Sequence, residues 1–109
     1  MAPKRYEQDG WTIEECTFHP STWPSERTYR HKPDGPLQEK IIWDLPITAL
    51  GLEFKSLDRE ITKRFRCFME GCEDLSIEMS RGRVQISGWE TITTDEGRTV
   101  YTQDLHDSY

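Results

Sequence analysis

The sequence predicts an α+β fold: a small, mainly antiparallel sheet of about five to six strands packed by one amphipathic helix, with a long irregular N-terminal segment. Three observations carry that expectation. Residues 56–71 place Leu57, Ile61, Phe65, Phe68 and Met69 on one helical face. Residues 74–80 alternate Leu75, Ile77 and Met79 with Ser76, Glu78 and Ser80, the period of a strand with one buried face. Residues 19–36 hold four prolines and a glycine, which remove backbone donors and break regular structure.

In chain order, residues 1–10 read as a polar, flexible leader. The domain proper is expected to span 11–105, with its irregular Pro-rich segment at 19–37. Trp11–Phe18 suits a strand, with Ile13 between Thr12 and Glu14. Pro33-Asp34-Gly35-Pro36 is turn chemistry. Residues 38–45 and 47–54 read as two strands around Pro46, on their β-branched and aromatic content. Helix 56–71 has Ser56 as its N-cap, Asp58 and Glu60 in its first turn, later cations, and Gly71 to end it. After strand 74–80, Arg81-Gly82 turns the chain into strand 83–93, where Ser87-Gly88 suggests a bulge. Asp95-Glu96-Gly97 reads as a hairpin turn and 98–104 as a returning strand. Residues 106–109 form a short tail.

The 109 residues carry 14 Lys+Arg against 20 Asp+Glu, a net charge of −6. Residues 73–109 hold three cations and eight anions, so most of the excess lies there. Duplex binding needs several cations on phosphates, and this balance opposes it. A protein with a basic surface is the better electrostatic match. No run approaches the ~20 apolar residues of a membrane span, so no membrane partner is expected. Lys4 and Arg5 lead into no apolar segment, so no secretory signal is read and an intracellular protein is expected.

Cys16-x2-His19 and Cys67-x4-Cys72 together supply three sulfurs and an imidazole, a set that tetrahedral structural zinc accepts. The spacing lacks paired C-x2-C knuckles, so reduced, separate thiols are the simpler expectation and no cofactor is required. A nucleophilic role for Cys67 or Cys72 is disfavoured, because a helix C-terminus raises a thiol pKa. The adjacent acids Glu14-Glu15, Glu73-Asp74 and Asp95-Glu96 form no acid/base pair across a shared face. The dispersed glycines offer no phosphate loop.

The reading that follows is a non-catalytic intracellular protein-binding or regulatory module, of adaptor or inhibitor type. Its surfaces would be an acidic C-terminal sheet region with Glu73, Asp74, Glu78 and Glu90, and an N-terminal arm with Trp11, Trp23, Arg27, Tyr29 and Arg30, residue types that concentrate at interfaces. One alternative is a small enzyme with a sheet-lined pocket using His19, a carboxylate or a bound metal. Another is nucleic-acid binding through Arg59, Lys63 and Arg66, which share one side of the helix.

Overall fold

A computed structural model of the chain describes residues 2–46 and 59–109. Six strands hydrogen-bond in the order β1-β2-β3-β4-β6-β5, and two helices accompany them. They are β1 (Lys4–Gln8), β2 (Trp11–Thr17), β3 (Glu26–His31), β4 (Leu37–Pro46), α1 (Arg59–Gly71), β5 (Glu73–Ser80), β6 (Arg83–Thr91) and α2 (Asp95–Asp107). The predicted class and strand number hold, but the described residues form two helices, and the N-terminal third is not irregular. The chain divides into two compact units, one of Met1–Lys40 with Thr91–Tyr109 and one of Ile41–Glu90.

In the first unit, the expected polar leader is a strand. β1 pairs antiparallel with β2, with Tyr6 opposite Ile13 and Gln8 opposite Trp11. Asp9 and Gly10 join them with φ of 53° and 83°. A two-residue hairpin turn needs positive φ at both central positions, and Asp-Gly is a favoured pair for it. β3 lies inside the segment expected to be irregular. The prolines at 20, 24, 33 and 36 flank it rather than interrupt it, so every backbone donor of β3 survives. β3 pairs antiparallel with β2 and with β4.

α2 occupies residues expected to form a turn and a returning strand. Thr94 explains why. Its extended backbone and its Oγ, accepting from Gly97 N at 3.0 Å, cap the helix N-terminus, and Asp95 and Glu96 favour the dipole there. Thr99 and Thr102 return their hydroxyls to the carbonyls of Asp95 and Arg98. Their β-branched shape favours a strand, but the local cap outweighs that weak preference. Ile92, Tyr101 and Leu105 pack against the buried cluster of Cys16, Phe18, Tyr29 and Leu37. The last residues are tied down: Thr17 N donates to Ser108 Oγ at 3.1 Å, and Tyr109 N donates to Thr17 O.

In the second unit, α1 follows the predicted helix from Arg59 onward; residues 56–58 and the expected strand 47–54 lie outside the described residues. Phe65 and Phe68 pack with Leu45, Val84 and Ile86, and Trp43 meets Phe65 edge-on at 5.2 Å. β5 and β6 form an antiparallel hairpin through Arg81-Gly82, with Ile77 opposite Ile86 and Met79 opposite Val84. The expected bulge is present where Ser87 and Trp89 of β6 face Ser76 and Glu73 of β5, but its extra residue lies on β5, with Asp74 at φ 53°, and not on the strand of Gly88. Gly88 serves close packing instead. A Cβ there would stand 3.0 Å from the Cys72 Cβ and 3.1 Å from the Phe68 ring.

Candidate interaction surface

The connection from β2 to β3 is a hydrogen-bonded loop with one large apolar residue at its tip. Phe18 is buried at its base, and its N–H donates to Ser25 O at 2.7 Å, closing the loop. Inside it, Thr22 N donates to His19 O at 2.8 Å, and Ser21 N donates to His19 Nδ1 at 3.2 Å. The His19 ring meets Tyr109 edge-on at 6.2 Å. Trp23 projects from this frame with 92% of its surface exposed.

The other residues expected on that arm turn inward, because β3 is a strand between two neighbours. Arg27 Nη1 donates to both oxygens of Asp104, at 2.9 and 3.0 Å. Tyr29 Oη donates to Asp104 Oδ2 at 2.5 Å. Burial first, and then this bond, push the Tyr29 phenol pKa up. Arg30 is buried; its Nε donates to Gln38 Oε1 at 2.7 Å and its guanidinium stacks 4.0 Å from the Trp11 ring centre. Lys32 approaches the same ring at 4.5 Å, so two cations use Trp11 within the chain.

A second carboxylate on β2 completes this polar interior. The Glu14 side chain is wholly buried. Arg5 Nη2 donates to it at 2.7 Å and Tyr101 Oη at 2.5 Å, and His31 Nε2 lies 3.1 Å away. Burial alone would raise the Glu14 pKa; the bonds from Tyr101 and Arg5 and the charges of Arg5 and His31 outweigh it and hold the pKa below the usual glutamate value. The Tyr29 and Tyr101 rings meet edge-on at 5.0 Å. Each carboxylate thus meets an arginine and a tyrosine supplied by the same unit. This arrangement clamps α2 onto the strands through Tyr101 and Asp104, and its acceptors are already engaged.

Sequence reasoning overlooked Glu14, Tyr101 and Asp104 as partners. Tyr101 and Asp104 are three apart and share a helix face, a signal legible only once 95–107 is known to be helical.

The candidate zinc ligands divide between the two units. Cys16 and His19 belong to the first unit, Cys67 and Cys72 to the second. Among the described residues no group of three or more His, Cys, Asp or Glu is placed to hold a metal. Cys16 is buried beneath α2, and burial, followed by the nearby charges of Asp104 and Glu14, pushes its thiol pKa up to about 11. Cys67 is exposed on α1.

Arg59, Lys63 and Arg66 are exposed on α1, as the helix period requires. Lys63 also lines a groove of about 330 Å³ with Ile41, Trp43, Glu60, Arg64, Cys67 and Glu90. Of the expected acidic residues, Glu73, Asp74 and Glu78 are exposed on β5, and Glu90 borders the groove on β6. Asp95 and Glu96 lie in the first turn of α2 rather than on a sheet. Among the described residues no helix is long and apolar enough to cross a membrane. Comparison of the chain with protein-family models, with curated proteins and with solved structures yields no match.

Proposed function

We propose that the chain is a non-catalytic protein-binding module that engages its partner through Trp23. The observation that supports this is the 92% exposure of Trp23 on a loop closed by Phe18–Ser25 and Thr22–His19 hydrogen bonds. A large aromatic side chain on an ordered frame loses little conformational freedom on binding and brings a large apolar area into an interface. Truncating such an anchor typically weakens binding by about 2 kcal/mol or more.

The test is affinity capture with the wild-type chain and with Trp23→Ala, followed by titration of the purified partner against both. At least a tenfold loss of affinity is expected for Trp23→Ala, with an unchanged circular dichroism spectrum. A partner bound equally well by both proteins would reject Trp23 as the anchor. The enzyme alternative would draw on the α1 groove, whose polar lining is Glu60, Lys63, Arg64, Cys67 and Glu90 and does not include His19.

A further inference from the structure

His19 holds the two backbone N–H groups that come immediately before Trp23. Its carbonyl accepts from Thr22 N at 2.8 Å, and its ring Nδ1 accepts from Ser21 N at 3.2 Å. Ser21 Oγ lies 2.8 Å from the same ring nitrogen. A side chain that accepts from the N–H two residues on fixes the backbone much as an Asx turn does. The Phe18–Ser25 bond closes the loop at its base, and these contacts to His19 order its interior.

The protonation state of the ring follows from this geometry. A backbone N–H can only donate, so Nδ1 presents its lone pair and the ring is neutral, with its proton on Nε2. A second proton, taken from water, occupies that lone pair. Ser21 N–H then loses its acceptor and faces another donor, while the Ser21 hydroxyl turns to accept from the ring. The imidazole is exposed, so solvent protons reach it. Its titratable neighbour is Tyr109 of the C-terminal segment, which it meets edge-on. No acid forms an ion pair with it among the described residues, so protonation gains none to offset the lost acceptor.

We propose that His19 is a pH-sensitive latch on the Trp23 loop: protonation of its ring releases the loop and weakens binding through Trp23. This rests on the reading of Trp23 as the anchor. An ordered frame spares the indole an entropy cost on binding, so a released loop binds less tightly with the same contacts available.

Backbone nitrogen-15 relaxation of the chain alone, at about pH 7.5 and about pH 5.5, tests the latch without a partner, because imidazole changes charge within this range. In wild type the heteronuclear Overhauser effect of residues 21–23 should fall at the lower pH. His19→Asn, whose carboxamide oxygen accepts from the same N–H and does not titrate, should keep it high at both. His19→Leu should leave it low at both. His31 and His106 are present in every variant, so the difference between wild type and His19→Asn isolates His19. With the purified partner, acidification should weaken binding of wild type about threefold or more beyond its effect on His19→Asn. A wild-type loop unchanged by pH, or a His19→Asn loop that loosens as wild type does, would overturn the proposal. So would a loop that loosens while both proteins lose affinity equally. A loss of affinity in Trp23→Ala at the higher pH would stand in either case.

Discussion

Glu14 shows how a single residue can be read correctly as charged and wrongly as wet. An isolated carboxylate is expensive to bury, and its sequence neighbour Glu15 makes a solvated pair the simpler expectation. Burial becomes tolerable because Arg5, Tyr101 and His31 arrive from β1, α2 and β3. None of these partners is signalled near Glu14 in the chain. The lowered pKa carries a definite sign. Stability from ionised Glu14 is fully present above the unfolded-state value near 4.5 and is lost as pH falls through the folded-state value. Glu14→Gln should cost about 1–3 kcal/mol at neutral pH, because buried donors lose their charged acceptor. Urea unfolding at a series of pH values should then show a shallower loss of stability on acidification for Glu14→Gln than for wild type. Parallel pH profiles would show that Glu14 does not carry the linkage.

At the scale of elements, the two helices were unequally legible. α1 announces itself through a 3.6-residue apolar period that ends in Phe65 and Phe68 on the core face. α2 has its buried face built from Tyr101, Asp104 and Leu105, a mixed set with no clear apolar period, and its middle is rich in threonine and valine. Its decisive local feature is the Thr94 cap. Thr94→Ala should destabilise the chain by about 1 kcal/mol, read as a lower urea midpoint, whereas Thr94→Asp should retain most of the stability. Equal midpoints for all three would show that the cap contributes nothing. β3 escaped notice for a related reason: Glu26–His31 lacks apolar alternation, and its buried positions are Tyr29 and Arg30, held by hydrogen bonds and stacking.

At the scale of the molecule, each unit has its own buried cluster, one aromatic and aliphatic around Phe68 and one around Tyr29 that shares its space with the carboxylates. Phe68→Ala should cost about 3–5 kcal/mol through the cavity it leaves. Hydrogen exchange should show that loss as reduced protection in α1 and β6, with β2 and β3 amides less affected, if the units open separately; uniform loss across both would mark a single cooperative unit. By itself the sequence determined the class of fold, the hairpin of β5 and β6, the amphipathic α1 and the start of β4, because each follows from a period or turn readable within some twenty residues. It also singled out Trp23, which the structure leaves exposed. Tertiary structure decided the rest. It placed Arg27, Tyr29 and Arg30 inside rather than on an arm, made Glu14 and Asp104 the anchors of α2, and left Ile77 and Met79 of β5 exposed. The buried contacts depend on partners up to 87 residues away in the chain, as between Glu14 and Tyr101, and no local pattern encodes such partners. Burial of a polar group is set by whether a distant donor reaches it, and exposure of an apolar one by whether anything is packed above it.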